Sequence, residues 1–274
     1  MNTRHPRTRH GFTGWPAQWW VMGVYLFLYA PLLAVLVQSF NAARFGTEWV
    51  GFTTHWYRQL LHNQPALQAV LNTLILASVS TLIATFLGTS LAYGLTRWRF
   101  PGRDWIERSL SVPVFVPDIL LAVGLLLAVA TAQELGLGLE PGMPAMIVGH
   151  VTFQIPFVAI VVRARLAGLD PTLEEAARDL GATSWQTFRH VTLPLLSPAV
   201  AAAALLAFTL SLDDFVVSFF TTGPGATTLP ILIHASVKRG LSPEIHALSS
   251  LLILAALVLT LALTALYRKP PIPS

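Results

Sequence analysis

The tightest constraint on this chain is a series of six apolar stretches, at roughly 19–38, 69–95, 109–131, 143–165, 194–220 and 246–267. About 20 helical residues at about 1.5 Å each span the roughly 30 Å hydrocarbon core of a bilayer. In lipid a backbone must satisfy its own polar groups, so apolar stretches of this length read as helices. The expected fold class is therefore all-α, a polytopic membrane protein with six transmembrane helices. Only 11% of the 274 residues are charged, against about 25% in an ordinary soluble domain, and the mean hydropathy is +0.63. The first stretch follows a basic segment, but it is too long for a secretory h-region and no small-residue cleavage site follows it. It reads as a retained first membrane helix. The sequence divides into a basic tail (1–18), a transmembrane domain (19–267) and a short tail (268–274), with no internal repeat.

The positive charges orient this arrangement. If the N-terminus is inside, the inner segments hold Arg4, Arg7, Arg9, Arg97, Arg99, Arg103, Arg108, Arg163, Arg165, Arg178, Arg189, Arg268 and Lys269, thirteen of the 17 Lys and Arg residues. The outer segments hold Arg44, Arg58, Lys238 and Arg239. Cytoplasmic loops carry such an excess, so both termini are expected in the cytoplasm and the loop 166–193 faces inward. The net charge of +4 then reflects topology, and no nucleic-acid partner is implied. Prolines mark the third, fourth and fifth spans (Pro113, Pro117; Pro156; Pro194, Pro198), where kinks are expected. The fifth is dense in small residues (Ala199, Ala201, Ala202, Ala203, Ala204, Ala207), which favours close helix packing.

The loop 166–193 carries its own punctuation. Asp170 or Thr172 suits a helix N-cap, Pro171 suits the first helical position, and Thr172 with Glu175 spells a capping box. Gly181 is a natural stop, and Thr183 with Gln186 spells a second box. The expected product is two short helices. The first has a stripe of Leu173, Ala176, Ala177 and Leu180 at one-face spacing, and Trp185 and Phe188 continue the second. The spacing alone leaves two readings open: a surface helix folded on its own bundle, or a face made for another backbone.

Three carboxylates fall within apolar spans: Asp118 in the third, Asp213 and Asp214 in the fifth. A mid-bilayer charge costs about 2.5–3.5 kcal/mol on insertion scales, so such groups face a bundle interior or an aqueous cavity. The readings are a low-affinity relay for a cationic substrate, or hydrogen-bonded aspartates at a helix break or subunit contact. In one continuous helix adjacent residues point about 100° apart, so Asp213 and Asp214 are not expected to face one spot. Trp49, Trp56 and Tyr57 read either as an interfacial belt or as stacking partners for a cation. His150 reads as a packed, hydrogen-bonded helix residue. Glu134 and Glu140 leave the second outer loop acidic.

Catalytic signatures are missing. With no cysteine there is no thiol nucleophile, thiolate metal site or disulfide. No His-Glu-x-x-His or Gly-x-Ser-x-Gly pattern occurs. The only glycine-rich candidate, Gly223-Pro224-Gly225-Ala226-Thr227-Thr228, lacks the lysine of a phosphate-binding loop and reads as a turn. No catalytic residue, metal site or cofactor is assigned to the chain.

The run Glu175-Ala176-Ala177, three residues, Gly181, nine residues, then Val191-Thr192-Leu193-Pro194 resembles the loop that marks the membrane subunits of binding-protein-dependent ABC importers. Val191 stands where isoleucine is usual. The resemblance implies the type I importer permease fold, with this loop forming coupling helices that sit in a groove of a cytoplasmic ATPase. It places Glu174, Glu175, Ala176, Ala177, Asp179, Gly181 and Pro194 in that role, the small alanines permitting close docking and the charges of Glu174, Glu175, Arg178 and Asp179 available to pair across the contact. Leu210 to Asp214, the Gly223–Pro230 stretch, Pro243-Glu244-Ile245, His150-Val151-Thr152-Phe153, Val116-Pro117-Asp118 and Trp56-Tyr57 look like the second permease subunit of putrescine/spermidine importers, over roughly 30–265. The implied partners are a paralogous permease, two copies of an ATPase that binds ATP and Mg, a periplasmic binding protein, and the bilayer of a bacterial inner membrane. Asp118, Asp213 and Asp214 become expected substrate-pathway residues. Rival readings are a permease for another small solute such as iron or thiamine, a self-sufficient channel or secondary carrier, and a membrane-embedded hydrolase.

Overall fold

The computed structural model describes residues 15–44, 48–239 and 243–267. The arginines of the first tail, and the tail 268–274, lie outside the described residues. Secondary structure is helical throughout, with a single isolated antiparallel bridge, Asn41 to Phe52, among the described residues. The chain forms two compact units, residues 1–63 with 236–274, and Gln64–Ala235.

The first unit contains α1 (Trp15–Gln38), α2 (His55–Leu60) and a long helix near the chain end, Pro243–Tyr267. α1 exposes Trp20, Phe27 and most of its other large side chains, as a helix facing lipid must. Asn41 organises the connection after it. Its Nδ2 donates to Gln38 Oε1 (2.8 Å) and Glu48 O (2.7 Å), and its Oδ1 accepts from Val50 N (3.0 Å). The Trp56 indole donates to Asn41 O (2.7 Å) and is only 7% exposed. Tyr57 Oη is hydrogen-bonded to Ser39 Oγ and Ser250 Oγ, both at 2.7 Å. Trp56 and Tyr57 therefore hold this unit together, whereas the sequence suggested an interfacial belt or a cation contact.

The second unit is built on α3 (Gln64–Arg97), then α4 (Arg103–Ser109), α5 (Val112–Phe115), α6 (Asp118–Glu134) and α7 (Met143–Ala167). Next come α8 (Thr172–Asp179), α9 (Ser184–Thr187), a π turn (Phe188–Thr192), α10 (Leu193–Leu212) and α11 (Val216–Thr221). The helices Leu229–Arg239 and Pro243–Tyr267 are α12 and α13. α3, α7 and α10 pack against one another. Their contact is made of small residues: Ala92, Ala159, Ala203 and Ala207 are fully buried, beside Val158 and Val162. A Cβ on Gly88 would meet Val158 Cβ at 2.7 Å, so glycine is what permits the α3–α7 approach. In α10 the buried stripe is Ala203 and Ala207, one turn apart, while Ala201 and Ala202 are exposed. The Gly223 turn comes closest of all: a Cβ there would lie 2.1 Å from Pro141 O.

By length and composition Gln18–Gln38, Gln64–Arg97, Met143–Ala167 and Ser184–Leu212 can each cross a bilayer. Two of the expected spans are broken, each for a local reason. The stretch read as one helix over 109–131 bends by 112° between Arg103–Phe115 and Asp118–Glu134. Val116 is extended (φ −76°, ψ 129°), as the residue before a proline prefers, and Pro117 has no N–H to continue the ladder. The stretch read as 194–220 ends at Leu212 and restarts at Val216. At its other end the helix widens into the π turn just before Pro194, where a regular ladder cannot be completed. Ser197 Oγ donates to Pro194 O (2.9 Å), replacing the N–H that Pro198 lacks.

Candidate functional site

The loop 166–193 folds as two short helices joined at Gly181. Asp170 Oδ1 accepts from Thr172 N at 3.0 Å, so Asp170 is the cap and the box expected of Thr172 and Glu175 does not form. This bond, chiefly the one from the Thr172 backbone, holds the Asp170 carboxyl below its ordinary pKa. α8 closes with Ala182 N donating to Ala177 O (3.0 Å) and Gly181 N to Arg178 O (2.9 Å), the paired bonds of a Schellman end. Gly181 has φ +85°, a conformation glycine adopts without steric cost. The second box forms: Gln186 N donates to Thr183 Oγ1 (3.3 Å) and Thr183 N to Gln186 Oε1 (2.8 Å).

The charges on α8 divide between its two faces. Glu174 is 6% exposed. Its Oε1 accepts from Arg97 Nη2 at the end of α3 and from Thr192 Oγ1 (2.8 Å), while Arg178 lies 3.7 Å from Oε2. Phe188 packs edge-on against Tyr93 of α3, with ring centroids 5.0 Å apart. Glu174 thus turns inward and clamps α8 to α3, a correction to its expected availability for pairing across a contact. Glu175, Ala176, Asp179 and Gly181 are exposed, and Ala177 is half-buried. Leu180 is 90% exposed, an apolar side chain left without cover in this chain. Pro194 lies at the start of α10, beyond the π turn.

The three carboxylates also meet. Asp118, Asp213 and Asp214 line one cavity of about 320 Å³ with Phe153, Phe157 and Phe215. The helical premise that kept Asp213 and Asp214 apart fails because α10 ends at Leu212. Their environments differ. Asp214 caps the restart, Oδ2 accepting from Ser218 N (2.8 Å) and Oδ1 from Val217 N (3.3 Å), and its Oδ2 lies 3.3 Å from His150 Nε2. His150 is fully buried, with Nδ1 hydrogen-bonded to Ser211 Oγ (2.7 Å) and Nε2 to Ser218 Oγ (3.0 Å). Deeper, Gln154 Nε2 donates to Ala207 O (3.0 Å) and Ser80 Oγ (3.3 Å), and Ser80 Oγ lies 3.4 Å from Ser211 Oγ. This buried polar chain pins the break from behind. Asp118 and Asp213 are exposed, and neither side chain has a hydrogen bond or ion pair among the described residues. Two uncommitted carboxylates and three aromatic rings around one cavity suit an organic cation.

Residues 84–269 match the family model described as "Binding-protein-dependent transport system inner membrane component". The chain is 43% identical over 239 residues to the "Spermidine/putrescine transport system permease protein PotC" of Escherichia coli (strain K12), covering 87% of this chain and 89% of that protein. It is 43% identical over 231 residues to the "Putrescine transport system permease protein PotI" of the same strain, covering 84% and 82%. Among solved structures, a bacterial ABC transporter importing the acidic polysaccharide alginate superposes with TM-score 0.72 at 20% identity, covering 93% of this chain and 95% of that one. That likeness extends to the fold. On the family match and these identities, the chain belongs to the inner-membrane components of binding-protein-dependent transport systems and is a multi-pass inner-membrane protein.

Proposed function

We propose that this chain is the membrane-spanning permease subunit of an ATP-driven importer of polyamines, putrescine or spermidine, with both termini in the cytoplasm. It works with a paralogous permease, a dimeric ATPase that holds ATP and Mg, and a periplasmic binding protein. The observation that carries the substrate class is the cavity at the two helix breaks, where Asp118 and Asp213 stand uncommitted beside Phe153, Phe157 and Phe215. A polyamine is a chain of methylenes bearing ammonium groups. Carboxylates balance its charge, aromatic faces hold both its cations and its methylenes, and few committed hydrogen bonds allow release. Identity to relatives named for putrescine and spermidine transport, over most of the chain, supports the same reading.

Energy enters through α8 and α9. Leu180, Ala176 and the Gly181 turn face outward to meet the ATPase, and Glu174 ties α8 to α3 through Arg97. A displacement of α8 is thereby passed to the α3–α7–α10 core, whose close small-residue packing moves as a block. The bundle alternates between outward and inward access to the cavity. The test is uptake of radiolabelled putrescine and spermidine into proteoliposomes holding the full complex, with loaded binding protein outside and ATP inside. Uptake that requires this subunit and ATP supports the proposal. ATP-independent uptake, or uptake of neither polyamine, refutes it.

A further inference from the structure

The connection from α3 into α4 is not used by the transport reading. Arg99, Arg103 and Arg108 line a cavity of about 620 Å³ with Phe100, Trp105 and one carboxylate, Asp104. No ion pair joins any of the three guanidiniums to a carboxylate among the described residues, and Arg103 Nε is buried without a hydrogen-bond partner there. The neighbouring arginines behave differently: Arg97 pairs with Glu174, and Arg163 pairs with Glu107, which fastens α4 to α7. Three positive charges and one carboxylate thus surround one concavity, a net positive charge with no ion pair within it among the described residues.

The direction of the segment says where that concavity lies. Arg103–Phe115 runs at 112° to Asp118–Glu134. If α6 stands across the bilayer, α4 and α5 lie near the membrane plane. Trp105 is 77% exposed and Phe115 is 83% exposed, apolar anchors of the kind that sit at headgroup depth beside Arg side chains. An interfacial segment with rings toward the acyl chains and arginines toward the headgroups attracts anionic lipid. Guanidiniums bind phosphate oxygens with two parallel donors each.

The geometry points to an anionic-phospholipid site on the inner leaflet: Arg99, Arg103 and Arg108 hold one phosphodiester headgroup, and Trp105 flanks its acyl chains. This rests on the cytoplasmic orientation proposed above. That orientation is read separately by labelling a Pro101→Cys variant of this cysteine-free chain from either face of the membrane. The site is tested on the full complex by native mass spectrometry, with phosphatidylglycerol and phosphatidylcholine in equal amounts. The wild-type complex should retain phosphatidylglycerol about tenfold over phosphatidylcholine. The combined Arg99→Gln, Arg103→Gln, Arg108→Gln variant should lose that preference while still holding its ATPase, and Arg99→Gln alone should lose part of it if the combined variant does not assemble. Arg165→Gln, which removes an arginine outside this cavity, should keep it. An unchanged preference in the arginine variants overturns the proposal. So does displacement of the lipid by millimolar inorganic phosphate, which marks a soluble-anion site. Loss of the ATPase with lipid preference intact overturns it too, and assigns the arginines to that subunit.

Discussion

Removing the carboxylate of Glu174 should release α8, the proposed coupling helix, from the bundle. In the structure Glu174 Oε1 accepts from Arg97 and from Thr192 Oγ1, and Arg178 adds a longer, half-exposed contact. A hydrogen bond to a charged group contributes about 1.5–3 kcal/mol. Arg97 is 26% exposed, so water discounts its share, and Arg178 contributes about 0.3–0.5 kcal/mol as a surface pair. Glu174→Ala also strands the buried Thr192 hydroxyl, which costs about 1 kcal/mol more. The sum is about 3 kcal/mol of local stability, or roughly a 100-fold rise in opening of residues 172–179. Amide hydrogen exchange of the assembled complex measures that opening. Arg97→Ala should reproduce most of it, and the double variant should show about 1.5–2 kcal/mol of coupling between the two side chains. Stimulated ATP hydrolysis should persist while uptake falls, since the motor turns against a loosened lever. Exchange within about twofold of the wild type, or strictly additive effects, would refute the clamp.

Gly181→Asp adopts φ +85° at a cost of about 1–2 kcal/mol, with no neighbouring atom within 4 Å of its new Cβ; the complex should insert normally but hydrolyse ATP without uptake, and coupled uptake would count against Gly181. Gly223→Ala meets Pro141 O at 2.1 Å, a backbone atom that cannot swing away, so thermal stability in lipid should fall by more than the usual 1–3 kcal/mol of overpacking; an unchanged melting curve would contradict the close approach. Asp170 has a lowered pKa because its charged form accepts the Thr172 N–H. Its capping contribution is therefore complete above the ordinary carboxylate range and is lost as pH falls through the lowered pKa. Protection at the start of α8, measured against the intrinsic exchange rate at each pH, should fall on acidification to that of an Asp170→Ala variant at neutral pH, while Asp170→Asn should keep its protection in acid; equal changes of protection in all three would exclude the cap.

Local punctuation was readable from the sequence, and long-range pairing was not. Gly181 and the Thr183–Gln186 box act over three or four residues, so spacing alone announces them. Pro117 also carried its signal, the extended bias on Val116, which separates α5 from α6. Asp213 and Asp214 share a cavity because the apolar run 194–220, which reads as one continuous helix, breaks between Leu212 and Val216. A capping signal lies inside that run: an aspartate three residues ahead of Val217, followed by a fresh helical stretch. Glu174 reads as outward in the sequence because its partner Arg97 is 77 residues away, a separation with no imprint in local periodicity. Trp56 shows the same limit, since an aromatic beside a membrane helix reads as a belt until Asn41 O is found at its indole. α12 follows the turn residues Gly223–Thr228, which conceal the helix that starts at Leu229.

In the proposed transport cycle the cavity at the two helix breaks carries an organic cation. The test is polyamine uptake through complexes bearing Asp118→Asn with Asp213→Asn, the two cavity carboxylates with no hydrogen bond or ion pair among the described residues. With saturating loaded binding protein, uptake turnover should fall about tenfold or more, while ATP hydrolysis stimulated by that protein stays within about twofold of the wild type. Wild-type uptake by the double variant would contradict the account.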